Sequence, residues 1–584
     1  MSCPCADPGS FVWFLSWPAY AIAHGQSLFF SSRLHAPVGI NLLDNTSVLL
    51  VGTLLAPVTW LFGPVVTLNV ALTLAPVTAG LSAYACLRRG LGVGAPAAAL
   101  GGLLFGFSPY MLRNLAVAHL MTTWLVLIPP LFLCLYRVLV RPAGRWWRWG
   151  LALALLVTGQ YFISVEVLAV FALVAGVTVV GALVMGLVRR DLLRARMPFA
   201  GRALALGVGL GALLLAYPLW FELAGPQHLS GAVWTDFAVN GLRDVLWPGH
   251  NTQLAQFLSV TIGYLGPNGA SSGYLGLPAL AVLAVACVVV RRPLVWACTA
   301  MMVLCVWLSL GARGLTEFVG TTPSWVPLPW GLFDHLPLIQ NISPTTFSAM
   351  ALVFFLVPVV LLTDAGLRRL GSREGPVRGE VPVAGRSGVA ALARGPAGTA
   401  VLLGALVLAL VVPWALAWSV PYRVASVPPS TWTTRYGSRL APSTLVLFNP
   451  VPSSHQDQAE IWQAQAGLPF RLVGGRGLVP GPGGEVDHGW TTGTLYATLS
   501  ALALQTVPKP PVPDARQLAR DRATLRRWGV DEIVVSTAQV VQGRSFAYPA
   551  VWFSIVMGQS PRRQGDAFVW TGVQRRLAAL GSGA

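Results

Sequence analysis

Asp7-Pro8-Gly9-Ser10-Phe11-Val12-Trp13-Phe14-Leu15-Ser16-Trp17, running on to His35-Ala36-Pro37-Val38-Gly39-Ile40-Asn41-Leu42-Leu43-Asp44-Asn45-Thr46, is a polar leader on an otherwise apolar chain. One carboxylate sits beside a Pro-Gly turn. An aromatic-rich amphipathic run follows, and the loop closes with Asn, Asp and Asn. Residues 47–62 decide on which side of a membrane this stretch lies. Read as a span, they place the first forty residues inside. They run only about sixteen residues, short of the roughly 20 apolar residues that a span needs, and Pro57 and Thr59 fall in the second half. That length suits an interfacial or re-entrant helix on the outer face. The front stretch is then an outer loop, in keeping with Arg33 as its one basic residue. A polar start of this kind does not cross a bilayer unaided, so a span upstream of Met1 is an expectation.

Composition sets the wider frame. Of 584 residues, 55% are hydrophobic and only 10% are charged, against about a quarter charged in a soluble domain. Mean hydropathy is +0.65. This is an integral membrane protein with several spans. Net charge is +18, yet Lys509 is the one lysine among 39 basic residues. That skew, with much Ala, Gly, Val and Leu, reflects a GC-rich genome rather than a nucleic-acid partner. Of the seven cysteines, Cys86, Cys134, Cys287, Cys298 and Cys305 lie in apolar runs, where Cys acts as a small hydrophobe. Cys3 and Cys5 are too close-spaced for a metal site, and there is no disulfide framework.

Ten spans are predicted, at 64–88, 95–112, 118–138, 148–163, 165–187, 203–222, 274–290, 293–311, 346–364 and 399–418. Arginine counts in alternate connections test this. One set of connections holds 19 arginines and the other holds only Arg113, Arg243 and Arg313, so the rich set is cytoplasmic. The segments near 113–117, 160–165, 223–273 and 312–345, and everything after about 420, then face outward. The organisation expected is an outer-face loop with interfacial helices (1–63), a transmembrane domain (64–419) and an extracytoplasmic α/β domain (420–584). Within the last, Thr444–Phe448 and Glu532–Ser536 read as buried strands, and Ala515–Trp528, stopped by Gly529, as a helix. Residues 365–398 read as a Gly/Pro/Arg-rich cytoplasmic loop.

Polar side chains of the membrane part gather at the predicted outer ends of spans. They are Asn114 and His119, then Gln160, Tyr161 and Glu166, then Asp236, Arg243, Asp244 and His250, then Asp334, His335, Gln340 and Asn341. Ionisable groups near a bilayer are costly and so are candidates for function. There is no H-E-x-x-H, G-x-S-x-G or P-loop, and the glycine runs at 474–477 and 480–484 lack nucleotide-loop spacing. A carboxylate at the outer face can do one definite thing. A sugar hydroxyl attacking an activated anomeric carbon needs a positioned general base. The departing lipid phosphate needs Arg, His or a metal to hold its charge.

The motifs Asp7–Leu15, Ala23-His24-Gly25, Ala36–Leu42 and Asn45-Thr46-Ser47 resemble a group of actinobacterial multi-span proteins similar to the GT-C glycosyltransferase superfamily, including its YfhO-like members. Ala118-His119-Leu120, Gln160 to Glu166, Asn341–Pro344 and Gln463–Gly475 carry the likeness onward over nearly the whole chain. The resemblance implies a mostly α-helical polytopic fold of about ten spans with an outer α/β domain. It implies an acidic first outer loop followed by short surface helices, and a polyprenyl-phosphate sugar as donor. Two positions depart from it: Thr346-Phe347 stands where relatives carry Arg-Phe, and a single Asp at the front replaces a carboxylate pair.

The activity expected is transfer of a sugar from a polyprenyl-phosphate donor to an envelope glycan, lipid or protein acceptor on the outer face of the plasma membrane. Asp7, Glu166 and His119 are the expected catalytic residues. Asn41, Asn45, Gln160, Asp236, Arg243 and His250 are the expected substrate contacts, with Mg or Mn as the candidate cofactor. The competing class is a transporter, flippase or scaffold for lipid-linked intermediates. Transporters carry polar, broken midplanes, whereas here the midplanes are apolar.

Overall fold

The structure, a computed structural model, describes residues 7–230 except 189, then 240, 242–247, 273–311, 328–333, 335–336, 339–371, 396–417, 426–452, 457–481, 486–487, 495–504, 512–538 and 547–581. Helix α1 (Asp7–His24) buries Phe11, Trp13, Phe14, Leu15 and Trp17. Its aromatic rings form a ladder, Trp13 on Trp17 at 5.7 Å and Trp17 on Tyr20 at 5.6 Å. A short antiparallel hairpin follows, β1 (Phe30–Ser31) with β2 (Ile40–Asn41).

Residues 47–62 form two short helices, α2 (Leu49–Leu54) and α3 (Ala56–Phe62), parted at Leu55. Pro57 sits in the first turn of α3, where its missing N–H costs nothing. Neither helix approaches span length. Leu54, Trp60, Leu61 and Phe62 are exposed, the apolar face that an interfacial helix offers to lipid. Trp60 Nε1 donates to the Ala19 carbonyl at 3.0 Å, tying α3 back to α1.

The predicted spans fall on helices. They are α4 (Pro64–Leu91), α5 (Ala95–Gly106) with α6 (Pro109–Ala116), α7 (Leu120–Thr123) with α8 (Ile128–Leu135), α9 (Trp146–Ile163), α10 (Val165–Val188) and α11 (Arg190–Ala224). Helices at Leu277–Val290, Pro293–Ser309, Phe347–Gly371 and Pro396–Leu416 complete the set. Among the described residues, five helical stretches are long and apolar enough to cross a membrane: Pro64–Leu91, Ala95–Ala116, Arg196–Ala224, Pro344–Leu370 and Ala397–Leu416. The expected continuous span at 118–138 is instead broken. Ala118 adopts a left-handed φ of 56°, and the Pro129-Pro130 pair restricts α8 to starting at Ile128. A π-helical turn, Tyr136–Val140, extends α8.

Helix Phe347–Gly371 is the hub of the bundle, burying Phe347, Met350, Phe355, Val359 and Val360. Helices α4 and α5 meet through glycines: a Cβ on Gly102 would lie 2.6 Å from the Gly80 carbonyl oxygen, and one on Gly106 2.4 Å from that of Pro76. Small residues in this pattern let apolar helices pack backbone to backbone.

The C-terminal part carries a five-stranded sheet. Its strands are β3 (Leu445–Asn449), β4 (Arg471–Leu472), β7 (Glu532–Ser536), β8 (Arg562–Gln564) and β9 (Ala567–Thr571), in the order β4-β3-β7-β9-β8. A separate ribbon pairs β5 (Val479–Pro480) with β6 (Val486–Asp487). β3 runs parallel to β4 and β7, while β9 is antiparallel to β7 and β8. β3 is buried at every residue, as a strand covered on both faces should be. Helix Ala515–Trp528 is N-capped by Asp514 and ends on left-handed Gly529.

The front loop closes the β4 edge of this sheet. Leu472 N–H donates to the Arg33 carbonyl at 2.8 Å, Ala36 N–H to Leu472 at 3.0 Å and His35 N–H to Gly474 at 2.9 Å. α1 is held by the same part: Asp457 Oδ2 accepts from Gly9 N–H at 2.9 Å, and Gln463 Oε1 from Trp13 Nε1 at 2.8 Å. Residues 7–45 are thus a seam between the bundle and the sheet.

Candidate functional site

The loop between β2 and α2 is shaped by its two asparagines. Asn41 Nδ2 donates to the Phe221 carbonyl on α11 at 3.1 Å, and its Oδ1 accepts from Leu43 N–H at 3.1 Å. Asn45 pairs with Leu478 in both directions, accepting from its N–H at 2.5 Å and donating to its carbonyl at 3.0 Å. It also donates to the Asn41 carbonyl at 2.7 Å. These bonds leave Asp44 between the bundle and the sheet domain.

Asp44 is only partly buried as a residue, but its Oδ2 is buried with no hydrogen-bond partner. Burial first, then the like charge of Glu222, push its carboxyl from 3.8 up to about 8, and a bond from the Leu229 N–H pulls the other way. Glu222, in the last turn of α11, accepts from the Tyr161 hydroxyl at the end of α9. Two carboxylates and a phenol from three segments therefore converge. An aromatic wall lies beside them, with Phe29 on Phe162 at 5.9 Å and on Phe221 at 5.7 Å.

A second centre lies across the α9–α10 break. Ser164 makes that break: its N–H donates to Gln160, and its hydroxyl accepts from Val167 N–H, starting α10. Glu166 Oε1 accepts from Thr346 Oγ1 at 2.7 Å and from Ser343 N–H at 3.2 Å. The Tyr110 hydroxyl lies among Thr122, Thr346 and Glu166, and His119 is near enough to act on Glu166 electrostatically. Asn114 Oδ1 accepts from Thr122 Oγ1 at 2.9 Å, closing the α6–α7 corner. Gln160 is fully buried, with its Oε1 lacking a partner.

The predicted residues distribute over these centres. Asn41 and Asn45 flank Asp44. Glu166 and His119 share the second centre, and Gln160 sits one residue from Tyr161. Asp7 opens α1, but its side chain lies outside the described residues, as does that of Arg243 in helix Leu242–Leu246. Asp236, His250, Arg313 and Asp334 also lie outside them. Two carboxylates not among the expected site residues, Asp44 and Glu222, lie near enough to act on each other. The sequence signal for Glu222 was present, since it ends the predicted span 203–222. Among the described residues no three His, Cys, Asp or Glu side chains gather to hold a metal ion. Asp44 and Glu222 are the two carboxylates that would hold a Mg or Mn ion here, with waters and a substrate phosphate completing its octahedral shell.

No family model and no curated protein matches the chain. Among solved structures it is similar to ArnT from Cupriavidus metallidurans bound to undecaprenyl phosphate, at 13% identity and TM-score 0.42, over 96% of this chain and 93% of that one. It is similar to the archaeal oligosaccharyltransferase AglB from Archaeoglobus fulgidus, in complex with an inhibitory peptide and a dolichol-phosphate, at 11% identity and TM-score 0.40, over 95% and 67%. A third likeness is to the arabinofuranosyltransferase AftD from Mycobacteria, at 14% identity and TM-score 0.45, over 97% of this chain and 41% of that one.

Proposed function

We propose that this protein is a membrane glycosyltransferase that moves a sugar from a polyprenyl-phosphate donor to a cell-envelope acceptor at the outer face of the plasma membrane, with Asp44 as general base. The observation that carries this reading is the Asp44 carboxylate: its Oδ2 is buried without a partner, and it is raised to about 8 beside Glu222. A carboxyl with an affinity for protons near the working pH is suited to take one in a transition state.

In the reaction, Asp44 removes the acceptor hydroxyl proton as that oxygen bonds to the anomeric carbon. The bond from that carbon to the phosphate oxygen breaks, and the lipid phosphate leaves with the electron pair. Glu222, held by Tyr161, keeps the Asp44 proton affinity high. Glu166 anchors the start of α10 to the Ser343–Thr346 turn, and His119 beside it is our candidate donor to the leaving phosphate. The sheet domain at 420–584 shares this outer side and borders the acceptor path through Leu478.

The test is transfer of radiolabelled sugar from a polyprenyl-phosphate donor by the reconstituted protein. Asp44→Asn lowers turnover by about 10²–10⁴-fold, the range for loss of a general base. Asp44→Asn protein that transfers sugar at the wild-type rate removes Asp44 from the role.

A further inference from the structure

The arginine-bearing end of the bundle, opposite the acidic centres, holds a cavity of about 220 Å³. Its wall is apolar, built from Leu87 and Leu91 of α4, Phe132 of α8, Leu139 of the π turn, Met301 and Phe354 among others. Val140 and Ala297 on this wall are exposed, so the cavity opens at the flank of the bundle. The π turn shapes this side, and such turns inside helices recur at functional sites. A cavity with so apolar a wall does not hold water: one of about 150 Å³ stays dry and takes benzene. Left empty, it costs stability.

The rim has the opposite character. Arg89 adjoins Gly90, Arg137 adjoins Tyr136 and Arg141 adjoins Val140, where Gly90, Tyr136 and Val140 all line the cavity. Arg292 lies two residues before Leu294 on the same lining. Arg89, Arg141 and Arg292 are exposed, and Arg137 reaches across to the Arg89 carbonyl at 2.5 Å. The ion pair at this end, Arg368 with Asp364 at 2.7 Å, involves none of the four.

We propose that this cavity is a structural site for an acidic phospholipid of the bilayer, with one acyl chain in the apolar pocket and the phosphate among Arg89, Arg137, Arg141 and Arg292. A chain entering from the flank fills the empty space and gives the apolar wall the packing contacts it lacks. Its headgroup then arrives at the depth where the arginines stand. Basic pockets between transmembrane helices hold anionic headgroups in this way. A zwitterionic lipid offers the same chain but carries its own cation against the arginines. The proposal is independent of the reaction at the other end.

The test uses the full-length protein in a neutral detergent. Phosphatidylglycerol, phosphatidylcholine and a polyprenyl phosphate are added separately. Cys86, a partly buried lining residue, reports occupancy through its rate of modification by an apolar maleimide, read by peptide mass spectrometry. Phosphatidylglycerol at about ten times its Kd slows modification about tenfold and raises the melting temperature, while phosphatidylcholine does neither. The double variant Arg137→Gln/Arg141→Gln loses the protection, and Ala297→Trp loses it by filling the pocket. Arg435→Gln, in the sheet domain, keeps it. Because Arg141 is exposed and Arg137 is not buried, the double variant reads out even if Ala297→Trp does not fold. Equal protection by phosphatidylcholine, protection by polyprenyl phosphate alone, or no protection by any lipid overturns the assignment.

Discussion

Two carboxylate centres sit at the same end of the bundle, five residues apart along the α9–α10 junction at Tyr161 and Glu166, and they are built on opposite plans. Glu166 gives one oxygen to two donors, a hydroxyl at 2.7 Å and a backbone N–H at 3.2 Å, both from the turn that starts the hub helix. Its bonds are spent on joining two helices. Asp44 faces a second carboxylate and leaves Oδ2 without a partner. Charge near a bilayer is expensive in both places. In one it is satisfied by the fold, and in the other it is left available to something outside the fold.

The sharpest way to break this contrast is to remove each acid in turn and read stability and transfer separately. Glu166→Leu leaves the Thr346 hydroxyl and the Ser343 N–H without their acceptor, at about 1–3 kcal/mol for each group so orphaned. A clear fall in melting temperature is expected, with the surviving folded protein transferring sugar within a few-fold of wild type. Asp44→Asn should do the reverse, folding well and failing to transfer. If Glu166→Leu melts like wild type but has lost transfer by as much as Asp44→Asn, the two centres act as one and the contrast is false.

A smaller effect is expected from the bonds that hold Asp44 in place. Asn45→Ala removes the two-way pairing with Leu478 and the bond to Asn41, costing roughly 1–2 kcal/mol in total, because water replaces part of what is lost. The loop that Leu478 ends is gripped elsewhere too. His35 Nε2 accepts from Gly477 N–H at 3.0 Å, and a Cβ on Gly477 would lie 2.0 Å from Ile40 Cδ1. The seam therefore stays closed, and Asp44 is loosened rather than released. Transfer is expected to fall less than with Asp44→Asn, with kcat reduced and donor KM little changed. An unchanged kcat separates Asn45 from the positioning of Asp44.

Much of this was legible in the sequence, and what was not has a physical cause. The helices of the bundle were visible because apolar length is a local property: each predicted span lies on a helix or a pair of helices, and among the described residues five helical stretches are long and apolar enough to cross a membrane. Strands β3 and β7 and the helix stopped at Gly529 were legible for the same reason. The break at 118–138 escaped because hydropathy does not register a left-handed Ala118. The polar loop at Asn41–Asn45 was singled out for its composition, and its asparagines bond the loop to Phe221 and Leu478. Asp44 was not among the residues expected at the site, because what marks it comes from outside the loop. Glu222 is 178 positions away, Tyr161 is 117 away, and Leu478 belongs to another part of the chain. Glu166 carried a strong local signal, a carboxylate at a span end with no arginine in adjacent sequence. That signal reports the cost of the charge, and not whether the fold or a ligand meets it.

The finest test of the contrast is the pH dependence of Asp44 itself. Its folded value of about 8 lies well above the ordinary 3.8. Between those values the folded protein binds a proton that the unfolded chain releases, so Asp44 favours folding at low pH. That contribution is complete below about pH 4 and drains away as pH rises through 8. Asp44→Asn does not titrate, so its melting temperature should gain on wild type from pH 5 to pH 8 and then hold a constant lead. Transfer by wild type should rise over the same window, because the base must be unprotonated to accept a proton. In the proposed role, the ionisation that lets Asp44 accept a proton is thus the one that weakens the fold. Melting curves of wild type and Asp44→Asn that stay parallel from pH 5 to pH 9 would show that Asp44 titrates as an ordinary exposed carboxylate, and the two centres would then no longer differ in kind.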